Sequence, residues 1–182
     1  MKIIAFGDSL TVGYQYPDPP APYAFFLTPL LPGDTAISVA AVSGETTSDM
    51  LRRFDRDVLQ NRPDWVIILG GTNDLGWSLP ADPILKNLTQ MYRMALAAKI
   101  APVTCAVPSL LGADDFIPPR VALNRKIEQE ANALQIPFVD FFKATCDPGG
   151  RLLEKYASDG LHLNARGYEK MARAVHETLF KK

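Results

Sequence analysis

No part of the 182-residue chain approaches the ~18 uninterrupted apolar residues that a membrane-spanning helix requires. An excess of one charge is equally absent. Nineteen Lys and Arg against 20 Asp and Glu leave a formal net charge of −1, which gives nucleic acid or an anionic membrane no electrostatic footprint. Cysteine is scarce, and Cys105 and Cys146 are too few for a disulfide framework and have no metal-type spacing. No metal site is therefore expected. Cys105 lies in an apolar run and reads as a buried, inert thiol. Histidine is scarce too, so chemistry that needs an imidazole must use His162 or His176. Internal repeats, low-complexity tracts and an obvious linker are also missing. The opening MKIIAFGDSL has too short an apolar run for a signal peptide and no small-residue cleavage site after it, so a cytoplasmic location is the default expectation.

What is present is the composition of an ordinary globular protein, 47% hydrophobic and 21% charged. Residues 1–182 are expected to form a single domain. Short apolar runs rich in β-branched residues recur at 2–6, 35–40, 65–69, 103–107 and 137–141, each apolar enough for a parallel strand buried on both faces. Helical periodicity fills the intervals at 46–60, 82–99 and 120–134. A final helix follows Asn164, a plausible N-cap, with Tyr168, Met171, Ala172, Val175 and Leu179 on one stripe. Strand and helix alternate, which predicts an α/β fold with helices on both faces of a parallel sheet. The proline-rich stretch 16–22 is predicted to be a loop. In such sheets ligands bind beyond the carboxyl ends of the strands. Segments 7–13, 41–45, 70–77, 108–119 and 142–162 fall there, and they hold the polar and glycine-rich motifs.

The first motif is Gly7-Asp8-Ser9-Leu10-Thr11, where a glycine turn leaves a serine hydroxyl facing the crevice. That hydroxyl is a weak nucleophile unless a neighbouring base takes its proton. His176 lies within the last helix, at the edge of its stripe, and is expected to face solvent. His162 lies just before that helix, in Asp159-Gly160-Leu161-His162. A carboxylate three residues before the imidazole can accept from one ring nitrogen and leave the other free for the serine proton. Taken alone, an Asp-x-x-His is as readily a local turn hydrogen bond. Gly70-Gly71-Thr72-Asn73-Asp74 follows the third strand, and an asparagine amide there can donate to an oxyanion. It can equally cap its own turn. Ser43-Gly44-Glu45 follows the second strand, where the Gly44 amide is either a further donor or simply part of a turn.

Together these blocks resemble the SGNH hydrolases, the GDSL esterases and lipases, over essentially the whole chain. The matching residues are Gly7-Asp8-Ser9-Leu10, Ser43-Gly44-Glu45, Gly71-Thr72-Asn73-Asp74 and Asp159-Gly160-Leu161-His162, in the family's order. The resemblance implies a flavodoxin-like three-layer α/β/α sandwich with a five-stranded parallel sheet. It implies ester hydrolysis through an acyl-enzyme and no cofactor. It makes Ser9 the nucleophile, His162 the base and then acid, and Asp159 the orienting carboxylate. The oxyanion hole would be the backbone amides of Ser9 and Gly44 with the Asn73 side chain. Neither Asp8 nor Asp74 becomes catalytic, and Asp8 is expected to brace the nucleophile loop.

The expected partner is a small-molecule ester; nothing indicates a homo-oligomer. Leu110, Leu111, Phe116 and Ile117 on one crevice loop, with Leu75 and Trp77 on another, suggest a pocket for a short acyl or aryl group. The same residues can instead pin those loops to the body. Tyr14, Tyr16 and Tyr23 can stack on a sugar or simply pack, and Asp114 and Asp115 read as a solvated loop tip. A short-acyl esterase is the first reading, a carbohydrate O-deacetylase the second, and a thioesterase or lysophospholipase the third. Outside the enzymes, the rival is a catalytically silent flavodoxin-like binding domain, which leaves Asn73 and the Asp159–His162 pair unexplained. A larger α/β-hydrolase is disfavoured because its Gly-x-Ser-x-Gly elbow finds Thr11 at the fifth position.

Overall fold

A computed structural model describes residues 1–181. Five strands, β1 Lys2–Gly7, β2 Ala36–Ala41, β3 Trp65–Leu69, β4 Ala101–Cys105 and β5 Phe138–Val139, form one sheet. All neighbours run parallel, in the order β2-β1-β3-β4-β5. The helices are α1 Ser9–Val12, α2 Tyr23–Leu27, α3 Thr47–Phe54, α4 Thr72–Gly76, α5 Ala81–Ala97, α6 Ile117–Leu134, α7 Phe141–Thr145 and α8 Ala165–Leu179. Among the described residues no helix is long and apolar enough to cross a membrane.

Strand alternation divides the core into two layers. Ile4, Phe6, Val66 and Ile68 face α3, α5 and α6, where they meet Met50, Phe54, Leu88, Met91 and Ile127. Ile3, Ala5, Ile67 and Leu69 face the other way, toward Leu10 of α1, Tyr23 of α2, Phe141 of α7 and Met171 and Val175 of α8. This is the expected three-layer α/β/α sandwich, and its strand order is that of the flavodoxin-like sheets. Burying each large apolar side chain contributes about 1.5–3 kcal/mol, so both layers are needed to hold the sheet.

Several boundaries differ from the sequence expectation, each for a local reason. β2 pairs only with β1, and as an edge strand it is half-exposed rather than buried on both faces. β4 starts two residues early and ends at Cys105; the Ala106 N–H still donates to the Val139 carbonyl at 2.9 Å, but from Val107 the chain bonds to a side chain instead of a strand. The Asn124 amide brackets Val107, its Oδ1 accepting from the Val107 N–H at 2.7 Å and its Nδ2 donating to the Val107 carbonyl at 2.9 Å. β5 shrinks to two residues because Asp140 caps α7, accepting from the Lys143 N–H at 2.8 Å. α6 begins at Ile117, with Pro118 and Pro119 in its first turn, where a missing N–H costs nothing. On α5, Ile84 joins the buried stripe and Leu96 is exposed.

Asn124 thus sets where the fourth strand releases the chain toward the crevice. Asn124→Ala leaves a buried N–H and a buried C=O without partners, at about 1–3 kcal/mol each. The expected result is an unfolding free energy lowered by that order, seen as a lower urea midpoint at unchanged slope; an unaltered midpoint would refute the bracket's importance.

Candidate active site

Parallel pairing places three motif-bearing strand ends side by side. Gly7 lies opposite Ala41 of β2 on one flank and Leu69 of β3 on the other. β1 and β3 also straddle the point where the strand order reverses, the crevice in which open α/β sheets bind ligands. Gly7 admits this closeness, since a Cβ there would lie 2.4 Å from the Leu69 carbonyl oxygen. The chain then turns into α1. Asp8 caps it, with Oδ1 accepting from the Leu10 N–H at 2.9 Å, and Ser9 occupies its first position, 6% exposed.

His162 arrives from the other end of the chain, on the turn before α8. Its Nε2 lies 2.9 Å from Ser9 Oγ across 153 residues of sequence, and its Nδ1 lies 2.7 Å from Asp159 Oδ2. Asp159 Oδ1 accepts from the backbone N–H groups of Leu161 at 3.0 Å and His162 at 2.8 Å, so the turn fixes carboxylate and ring together. Burial opposes the Asp159 charge, but the donors from His162 and Leu161 outweigh it and hold the carboxyl below its ordinary range. Gly160 makes the turn feasible. Its φ is +90°, and a Cβ would come within 2.7 Å of the Leu111 carbonyl oxygen. The Tyr14 ring packs against the His162 imidazole at 4.6 Å between centroids. Tyr14 is held in turn by the Tyr168 hydroxyl, which donates to its carbonyl at 2.7 Å.

The second and third blocks meet beside this pair. Asn73 Nδ2 donates to the Glu45 carbonyl at 2.8 Å, tying Ser43-Gly44-Glu45 to the end of β3. Gly44 itself is exposed, with φ +83°. Asp74 is buried and occupied, its two oxygens accepting from the Thr47 N–H at 2.9 Å and hydroxyl at 2.7 Å. Next to Asn73 and Asp159 opens a cleft of about 490 Å3, lined by Trp77, Leu110, Leu111, Phe116 and Arg120.

Of the residues expected to line it, Leu75 does not. Leu75 is 4% exposed and belongs to the core layer under α5. The reason is geometric: α4 begins at Thr72, and at ~100° per residue the helix turns Leu75 inward. Ile117 likewise is buried at the start of α6 and takes no part in the lining. Tyr23 is wholly buried against Phe141, whereas Tyr16 is exposed. His176 lies half-buried in α8 beside Phe180 rather than facing solvent. Asp114 pairs with Arg151 at the loop surface. Cys105 is buried, and burial raises its thiol well above its ordinary value.

Two buried arginines at the crevice belong to none of the sequence motifs. Arg53 runs from α3 under the motif loops, and Arg120 lies beneath the cleft. Each occupies a position on the buried stripe of its helix, Arg53 three residues after Met50 and Arg120 three before Leu123. A charge on an apolar stripe is the signal that could have found both.

The fold is an α/β/α sandwich whose carboxyl strand ends bring together Ser9, His162, Asp159 and Asn73. The GDSL-like lipase/acylhydrolase family matches residues 5–170, and the chain belongs to that family, the SGNH hydrolases. An arylesterase of Vibrio mimicus is 33% identical over 95 residues, covering 51% of this chain and 48% of the relative. An uncharacterised lipoprotein of Bacillus subtilis, YqeF, is 38% identical over 76 residues, 40% of this chain and 31% of the relative. The matches thus span half or less of these relatives' own lengths. A GDSL-like lipase from Bacteroides thetaiotaomicron superimposes with a TM-score of 0.82 at 25% identity, covering 97% of this chain and 86% of that one.

Asp8 gives the site a pH signature. It is fully buried, and burial pushes its carboxyl up from 3.8 to about 7, with the Leu10 N–H opposing and the Asp74 and Glu45 charges adding to the rise. The unfolded chain releases this proton at the lower value and the folded chain at the higher one. Its contribution to stability is therefore fully present below about pH 4 and lost as pH rises through about 7. Asp8→Asn, which keeps the acceptor for Leu10, should flatten the fall in unfolding free energy across that window. An identical fall in the variant would refute the assignment to Asp8.

Proposed function

We propose that this chain hydrolyses short-acyl or aryl carboxylic esters through an acyl-enzyme on Ser9. The observation that carries this reading is the unbroken hydrogen-bonded line from Ser9 Oγ through His162 to Asp159, 2.9 and 2.7 Å, at the edge of an apolar cleft. With Nδ1–H donated to Asp159, Nε2 is the acceptor for the Ser9 proton. Ser9 Oγ bonds to the ester carbonyl carbon as His162 takes that proton, and the carbonyl π pair moves onto oxygen. Collapse breaks the bond to the alcohol oxygen, which leaves with the proton from His162. Water then repeats the sequence and releases the acid.

The negative oxygen needs fixed donors. The backbone N–H groups of Ser9 and Gly44 take part in none of the hydrogen bonds among the described residues, which suits them to this role. Asn73 spends one amide hydrogen on Glu45 and has a second to offer. The arylesterase relative supports the aryl preference, as do the cleft-lining Trp77, Leu110, Leu111 and Phe116. A sugar O-acetyl ester is the second reading, favoured by Trp77, which is 75% exposed and offers a pyranose a face to stack on. For location, a cytoplasmic protein is the proposal and a lipid-anchored one, like the Bacillus relative, its rival; cell fractionation separates them.

The test is a panel of p-nitrophenyl esters of increasing chain length, with acetylated sugars and a thioester, run on wild type and variants. Ser9→Ala should abolish turnover, and Asn73→Ala should lower kcat by about 10²–10³. Wild-type rates in Ser9→Ala would overturn the nucleophile assignment.

A further inference from the structure

Arg120 is 2% exposed, yet among the described residues no carboxylate forms an ion pair with it. Among the described residues its guanidinium makes one hydrogen bond, to the Phe116 carbonyl one helical turn back, at 3.2 Å. Its Nε is buried with no acceptor. Burying a charge without a partner is costly, so proteins rarely retain one without use for it. Arg53 shows the alternative in this same molecule, since its guanidinium meets two carboxylates and two carbonyls. Burial pulls Arg120 down to about 10, which still leaves it a cation at neutral pH.

The position of this unmatched cation gives it meaning. Arg120 lines the same cleft as Asn73 and Asp159, among Leu110, Leu111, Phe116 and Trp77. Asp159 is the other charged group of that lining, and it is committed to His162. A cleft of about 490 Å3, whose other polar side chains are the neutral Thr72 and Asn73, therefore offers a substrate one buried cation and no competing free anion. A guanidinium matches a carboxylate edge to edge, with two parallel N–H···O bonds. A single positive charge balances a carboxylate, whereas a phosphate dianion would keep uncompensated negative charge in a lining that holds no second free cation. We infer that Arg120 selects esters that carry a carboxylate, held in this cleft beside the reacting carbonyl. The inference rests on the esterase reading and adds the class of ester.

Kinetics on matched pairs test it. The p-nitrophenyl monoester of glutaric acid is compared with p-nitrophenyl pentanoate, which places the charge on the acid half. The alcohol half is probed with 4-carboxyphenyl acetate against its methyl ester. At least one anionic partner should be favoured about tenfold or more in kcat/KM, the usual scale for a charged hydrogen bond. That ratio should fall toward one in Arg120→Met and survive only in part in Arg120→Lys, which keeps the charge but loses the paired donors. Should Arg120→Met fail to fold, the wild-type ratios decide alone. Turnover of neutral esters with no preference for either anionic partner overturns the inference and leaves the esterase reading standing. A preference confined to 4-acetoxyphenyl phosphate overturns the carboxylate assignment. If no ester is cleaved, the esterase reading fails, and glutarate titration followed by tryptophan fluorescence decides the anion site. A saturable change in wild type that is lost in Arg120→Met supports the site, and no change in wild type refutes it.

Discussion

The geometry of the crevice depends on the buried guanidinium of Arg53. From α3 it donates to the Gly7 carbonyl at 2.9 Å and the Ala40 carbonyl at 3.0 Å, gripping the ends of β1 and β2 together. Its Nε donates to Glu45 at 2.6 Å, and Asp57 accepts at 3.1 Å from the opposite side. The Phe6 ring lies beneath it, 4.2 Å from the guanidinium carbon. Glu45 then passes the constraint onward, because its carbonyl accepts from Asn73 at the end of β3. One cation thus fixes the strand behind Ser9, the loop of Gly44 and, at one remove, the side chain of Asn73. Such a buried network adds less to stability than its bond count suggests, because desolvation cancels much of the Coulomb gain. What it supplies is a defined arrangement of three loops whose own sequences are short, polar and glycine-rich.

Carboxylates around the crevice receive different roles from their surroundings. Asp159 is surrounded by donors and held ionised, which suits it to balance a positive charge on His162 in the proposed reaction. Asp74 spends both oxygens at the start of α3, on Thr47, and Asn87 completes that cluster by donating to the Thr47 hydroxyl at 3.1 Å. Asp8 adjoins Ser9 in sequence but is sealed in the core with one oxygen on Leu10. Held toward its neutral form, it places less negative charge behind Ser9 than its sequence position implies. A carboxylate ionised there would disfavour the oxyanion of the proposed reaction.

Much of this arrangement is legible in the sequence because parallel topology maps chain order onto space. Each motif follows an apolar run, so once the runs pair as parallel strands the motifs must gather at one edge, and Ser9 meets His162 despite their separation. The helix after Asn164 is readable for the same kind of reason: its cap and its stripe agree. Illegible features are those set by side chains distant in sequence. The ends of β4 and β5 depend on Asn124 and Asp140, whose bonds no local pattern announces. The inward turn of Leu75 follows from where α4 starts, which Gly70-Gly71 leaves open. The exposure of β2 follows from its edge position, which needs the strand order.

Arg53 and Arg120 separate structural from functional burial within one crevice. Both interrupt apolar stripes, and both are removed from solvent. The difference lies in satisfaction. Every nitrogen of Arg53 has an acceptor, so its charge is consumed by the fold. Arg120 touches one carbonyl and keeps a buried Nε–H unmet beside the cleft. Folding alone would favour an apolar residue at that stripe position, as at Leu123, Ile127 and Ala131 further along α6. The burial cost of Arg120 is therefore offset only when something enters the cleft, whereas that of Arg53 is offset before any substrate arrives.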